Sequence, residues 1–189
     1  MPASRFQKRT HRNEAPVFLL STAILAFEIL LLRLFAIEHF HHFASMAIGM
    51  AMLGFGASGT ALVLARQLVR GRERNSFEAS AVLFAVSLMF AIPLAHSVSF
   101  DPTQILWDVG QWRALAVVYT VLAMPFAFGA GAVALALMGA RRRVGRVYAA
   151  NLLGSATGSV LALVLLAVLR PERAVAATAI PAAAGAALA

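Results

Sequence analysis

The chain has 189 residues, 61% of them hydrophobic and 13% charged, with a mean hydropathy of +0.81. Soluble domains are nearer half apolar and about a quarter charged, so too few charges remain to clothe a water-facing surface, and the bilayer is the solvent. No cysteine is present, which excludes disulfides, thiolate metal sites and cysteine nucleophiles; the formal charge of +8 raises nucleic-acid binding, which the placement of the charges must decide.

Residues 1–15 form a basic tail carrying Arg5, Lys8, Arg9 and Arg12. The apolar run that follows, Val17 to Ile37, is too long for the core of a cleavable signal peptide and long enough to span, so it reads as a retained first helix. A hydrocarbon core of roughly 30 Å needs about 20 apolar residues in helical form. Five segments meet that test, 16–37, 43–65, 78–96, 114–138 and 147–169. A sixth, 174–189, is shorter, rich in alanine and broken by Pro181. The expectation is an all-α, polytopic transmembrane helix bundle of about six spans over residues 16–189. The last span ends at "AAAGAALA" without a polar cap, which predicts that the chain is a fragment of a longer protein.

The first span contains Glu28 near mid-depth and Arg33 five residues on. Those two are about 140° apart round a helix and do not form an i, i+4 pair, so Arg33 snorkels outward or pairs with another helix. A carboxylate at mid-depth is expensive and usually functional; it persists protonated and hydrogen-bonded, or neutralised by a cation. Two roles therefore stand side by side for Glu28. One is a structural hydrogen bond to Asn151 or a serine, the preferred reading, and the other is a proton or cation relay.

At the outer end of the first span come His39, His41 and His42, joined by His96 at the end of the third. Imidazoles in such groups can hold a metal or haem, yet no pair within the run is spaced i, i+4 and the run falls at a turn. Caps for helix ends are the plainer reading, and no cofactor is assigned to the chain.

The second span contains G-x-G-x-x-G at Gly54, Gly56 and Gly59. As a dinucleotide loop this motif should follow a strand and open a helix; here it lies inside a continuous apolar helix. Small residues in such a helix let a neighbour approach closely, so Gly49, Gly54 and Ser58 read as helix packing. Pro93 and Pro125 lie inside spans three and four, where each removes a backbone hydrogen bond and the fourth helix is free to bend. Between those spans, Asp101–Pro102 looks like a helix start, with Trp107 and Trp112 suited to a short interfacial helix over 102–112. In the fifth span, Asn151, Gly154, Ser155, Gly158 and Ser159 fall on one stripe, which reads as tight packing within the chain ahead of dimerisation or a ligand.

Arg and Lys positions orient the chain. The tail, the second loop (Arg66, Arg70, Arg72, Arg74) and the fourth loop (Arg141, Arg142, Arg143, Arg146) fall on one side of five alternating helices, against Arg113, Arg170 and Arg173 on the other. Cytoplasmic loops retain such residues, so the N-terminus is cytoplasmic and a sixth span returns the C-terminus there. Charges spread over short juxtamembrane loops mark topology first and anionic lipid second, which removes nucleic acid from the partners and leaves the bilayer and other membrane chains.

The run "FEILLLRLFAIEHFHHFASMAIGMAMLGFGASG" resembles the first two spans of bacterial membrane-embedded spermidine synthase-like proteins. Those carry a Glu followed five residues later by Arg-Leu, then His-Phe-Ala and an apolar helix ending in Leu-Gly-x-Gly-Ala-Ser-Gly. Glu28, Arg33, His42 and Leu53 to Gly59 match that pattern. "VYAANLLGSATGSVLA" resembles the later helix of the same family, with Asn151 at a position that is Asp or Asn there. The resemblance covers most of residues 16–169 and implies a bacterial inner-membrane domain, non-catalytic in this stretch, that anchors a soluble domain or associates with a larger membrane complex. It also implies a cytoplasmic aminopropyltransferase-like domain following in the longer protein, so no catalytic residue carries over. The rival readings are half of a transporter or channel for a polyamine, proton or other cation acting through Glu28, and a haem, quinone or pigment-associated subunit using the outer histidines.

Overall fold

In hydrocarbon a single segment satisfies its own backbone amides only as an α-helix, and the computed structural model is helical accordingly. It describes residues 13–38, 41–101, 104, 107–140 and 143–189. The helices are α1 (Glu14–Glu38), α2 (His41–Leu64), α3 (Arg66–Val69), α4 (Glu73–His96), α5 (Val109–Gly139), α6 (Val144–Val168), α7 (Pro171–Ala177) and α8 (Ala179–Leu188), with no strand among the described residues. Five of them, α1, α2, α4, α5 and α6, are long and apolar enough to cross a membrane. The protein is thus a membrane-embedded helical bundle.

α1 lies at the centre. A helix that is apolar all round is a core helix or a span, and α1 is both: Leu20, Ala23, Ala26, Phe27, Leu30 and Leu31 are fully buried. It packs against α6, α8, α2, α5 and α7, while α4 closes the far side by packing on α5 and α8. The outer helices leave large apolar side chains uncovered, among them Met52, Val63, Met89, Phe90, Leu163 and Val168. In water a surface this apolar is an aggregation liability; in a bilayer it is the lipid-facing wall.

Small residues set the closest approaches. A Cβ added at Gly154 would collide with the Phe18 carbonyl oxygen, and one at Gly158 with that of Thr22. The contacts advance by four residues on both helices, so α1 and α6 run parallel and nearly backbone to backbone. Parallel direction is what five alternating helices require of the first and fifth. Thr22 Oγ1 accommodates the contact by sharing its one hydrogen between Phe18 O at 2.8 Å and Gly154 O at 3.1 Å. Gly54 does the same between α2 and α5, where its added Cβ would lie 2.5 Å from Phe126 Cβ and 2.8 Å from Ala123 O.

Over Gly54 the rings gather. Phe126 is fully buried, 5.2 Å from Phe27 and 6.1 Å edge-on from Phe55, centroid to centroid, which joins α1, α2 and α5. Phe126→Ala is expected to lower the unfolding midpoint measured in detergent or bicelles. The cost should fall below the roughly 3–5 kcal/mol typical of soluble cores, because separated helices in a bilayer still keep the ring in lipid. An unchanged midpoint would remove this cluster as a packing centre.

Several boundaries differ from the sequence expectation, each for a physical reason. α4 starts at Glu73 rather than 78, its first turn held by an Arg74–Glu78 i, i+4 pair at 2.7 Å; charged turns in the headgroup layer are helical but not apolar. α5 starts at Val109, so 109–112 belong to a 31-residue helix and not to a separate interfacial helix over 102–112. At about 1.5 Å per residue that helix outruns the hydrocarbon core, which leaves exposed Trp112 at its projecting end. The capping residue there is Asp108, which accepts from Gly110 N at 2.7 Å, and not Asp101, whose carboxylate accepts from Gln104 Nε2 at 2.9 Å and whose amide donates to Gln111 Oε1 at 3.0 Å. Residues 102, 103, 105 and 106 lie outside the described residues.

α5 continues unbroken through Pro125, and Pro93 falls in the last turn of α4. The stretch expected as a sixth span is not one helix. It is interrupted at Thr178, because Pro181 lacks the amide that would bond the Ala177 carbonyl one turn back. Thr178 is fully buried and turns its hydroxyl onto Val175 O at 2.6 Å. Neither α7 nor α8 alone has membrane length.

Candidate functional site: an intramembrane polar cleft

Ser21, Ile24, Leu25 and Glu28 are spaced i, i+3, i+4, i+7 and share one face of α1. Ala130, Val133, Ala134 and Leu137 repeat that spacing on α5, and Asn151 and Ser155 sit one turn apart on α6. These faces, with Phe55 of α2, line a cleft of about 380 Å³. Every polar side chain in it comes from α1 or α6, while α5 and α2 supply apolar walls. Glu28 is half-buried there, midway along α1.

Inside the cleft Ser21 Oγ donates to Asn151 Oδ1 at 2.7 Å, tying α1 to α6 beside the small-residue contact. An interhelical bond of this kind contributes on average about 0.6 kcal/mol in a bilayer. The hydrogen bond expected from Glu28 to Asn151 or a serine is not formed: among the described residues no side chain hydrogen-bonds or ion-pairs with Glu28. Asn151 is satisfied by Ser21 instead. Arg33 lies exposed on α1, beyond the cleft and nearer the end of the helix, where a long side chain reaches headgroups.

The other singled-out residues fall elsewhere. Gly49 faces the Tyr119 hydroxyl of α5, Gly54 the α5 backbone, and Ser58 is buried with its hydroxyl 3.3 Å from where a Cβ on Gly131 would stand. Gly56 and Gly59 meet nothing within 4 Å, so only part of the G-x-G-x-x-G faces the bundle. Ser159 bonds its own Ala156 carbonyl at 2.8 Å. His96 is exposed at the rim of a separate apolar cavity of about 190 Å³ lined by Leu31, Phe35, Met50, Phe100 and Leu122. His39 and the side chains of His41 and His42 lie outside the described residues, as do the tail cations and Arg141 and Arg142. Among the described residues no three His, Asp or Glu side chains group in a way that would hold a metal ion.

A third cavity, of about 540 Å³, lies at the opposite end of the bundle from His96, lined by Arg66, Gln67, Val69, Arg70, Glu73 and Met138. Sequence reasoning missed α3, a single turn that begins at Arg66 and is followed directly by Arg70. It also missed the turn after it, where Gly71 takes φ +82 and gives its amide to Glu73 at 3.0 Å; Gly is the residue that adopts that conformation without strain. The signal was present in Arg70-Gly71-Arg72-Glu73, a few residues beyond the end of an apolar span.

Comparison of the chain with protein-family models, with curated proteins and with solved structures returned no match.

Proposed function

We propose that the chain is the multi-pass membrane domain of a spermidine synthase-like protein in a bacterial inner membrane. In this reading it is non-catalytic, and it anchors a soluble domain or joins a larger membrane complex. The observation that supports it is the meeting of the basic second loop with the end of α5, from which the fourth loop leaves. Arg66 and Arg70 lie beside Met138 at the end of α5, and a Cβ on Gly139 would stand 4.0 Å from that of Glu73. The basic second loop therefore meets the end of α5, and Arg143 at the start of α6 falls at the same end of the bundle, an arrangement suited to the cytoplasmic side and to a soluble domain held against it.

Topology is tested by single cysteines, for which no native cysteine competes. Arg72→Cys should resist a membrane-impermeant maleimide in intact cells, and Trp107→Cys should react. Efficient labelling at 72 from outside would overturn the arrangement.

A second reading, a proton or cation pathway through Glu28, is favoured by the cleft into which that side chain faces. Proteoliposomes discriminate the two. A scaffold gives no uptake of protons, alkali cations or spermidine above empty vesicles, whereas uptake abolished by Glu28→Gln replaces the scaffold with a transporter.

A further inference from the structure

We infer that the cleft between α1, α5 and α6 binds an organic monocation, an ammonium head carried on a small apolar body, with Glu28 as its counter-ion. The inference concerns binding and holds whether or not anything crosses the membrane.

The groups in the cleft select the ligand class stepwise. Glu28 is a carboxylate without a protein partner among the described residues, in a site whose remaining polar groups are Ser21, Asn151 and Ser155. An anion would meet that carboxylate at short range without a cation to offset it. A neutral ligand would draw no charge attraction from Glu28 and would leave it to be neutralised by a proton. A divalent metal takes about six or more oxygen ligands, more than the one carboxylate, one amide oxygen and two hydroxyls that line the cleft supply. A bare proton needs no cavity. An ammonium group has three donors, for which Glu28 is the charged acceptor, and the Ser155 hydroxyl lines the same cleft.

The walls decide the rest of the molecule. Ile24, Leu25, Phe55, Val133, Ala134 and Leu137 surround the polar groups with hydrocarbon, and Phe55 adds an aromatic surface of the kind that attracts ammonium ions. A volume of about 380 Å³ is near the lower end of ligand sites, which run about 300–1,000 Å³. One carboxylate serves one positive charge. A polyamine would bring further ammonium groups into a cleft that lines them with neutral side chains and no second carboxylate, where uncompensated charge costs several kcal/mol. The cleft therefore discriminates against spermidine-like polycations and in favour of singly charged alkyl- or arylalkylamines.

The test uses the full chain in nanodiscs of zwitterionic phosphatidylcholine, which removes attraction of amines to anionic lipid. Binding of radiolabelled n-hexylammonium is measured by equilibrium dialysis against protein-free nanodiscs. Wild-type protein should bind it saturably, with unlabelled n-hexylammonium competing, and 1-hexanol and spermidine each at least tenfold weaker. Glu28→Gln, which keeps the shape of the side chain, should weaken binding at least tenfold. Ala134→Phe fills the apolar wall while leaving Glu28 in place and should abolish it. Thermal midpoints at or above wild type establish that both variants are folded; for a variant that unfolds, Ala134→Leu takes its place with the same expected loss. Saturable binding that survives both Glu28→Gln and filling of the wall, or spermidine competing as well as hexylammonium, would overturn the inference, as would no saturable binding to wild type.

Discussion

Gly158→Leu is expected to lower the unfolding midpoint sharply and to reduce folded yield, whereas Val160→Leu, two residues away, should behave as wild type. Between α1 and α6 there is no room for a side chain at 158, because even a Cβ would collide with the Thr22 carbonyl. What stands in the way is backbone, so no rotamer change relieves it, and the helices must separate. Separation breaks the Thr22–Gly154 bond and the Ser21–Asn151 bond together. It also loses the close packing that holds helices together in lipid, where burial from water supplies no attraction. Overpacking in soluble cores costs about 1–3 kcal/mol, occasionally more, and this site belongs at the upper end. Val160 is 60% exposed, so the extra carbon meets lipid. Unfolding midpoints of the two variants in one detergent check the contrast. Equal behaviour would mean that the α1–α6 contact does not hold the bundle.

The positions of the five long helices were legible because one physical rule, hydrocarbon thickness, fixes them. The small-residue face at Gly154 and Gly158 was legible for a related reason: glycine on one stripe of a span has little use except close approach. Its partner was not. The Phe18 and Thr22 carbonyls belong to a helix more than 130 residues earlier, and nothing local in the sequence of α6 points to them. Helix ends were misplaced wherever they leave the apolar layer. Glu73 and Val109 begin helices in the headgroup region, where hydropathy falls but backbone hydrogen bonding continues. Asp101 and Asp108 both precede suitable residues for a cap. Asp108 takes the role by accepting from the Gly110 amide, while the Gln111 side chain accepts from the Asp101 amide. Pro181 marked the interruption of the last stretch, though the break itself falls three residues earlier, at Thr178, where the missing amide is felt. For Glu28 the mid-depth location was readable from the count of residues. Its surroundings depended on which helices meet there, and Asn151, the partner the sequence offered, is taken by Ser21.

Glu28→Leu should raise the thermal stability of the bundle. A carboxylate that anchors structure is lost at a cost, because its partners are stranded when it is removed. Glu28 has no such partners among the described residues, so its deletion strands nothing. The half-buried carboxyl is a desolvated polar group without compensation, and relieving it should contribute about 1–3 kcal/mol, reduced by whatever solvent the open cleft admits. Leucine at 28 also extends the apolar face formed with Ile24 and Leu25. Glu28→Gln should gain less, since an amide is still polar but carries no charge. Chemical denaturation in mixed micelles, with wild type, Gln and Leu compared, measures the order. A gain for Leu marks a residue kept against stability, the pattern expected where a group serves a ligand and not the fold. A loss for Leu, with Gln unchanged, would show that Glu28 holds a structural hydrogen bond, and would remove the carboxylate on which both the cation pathway and the ammonium site depend.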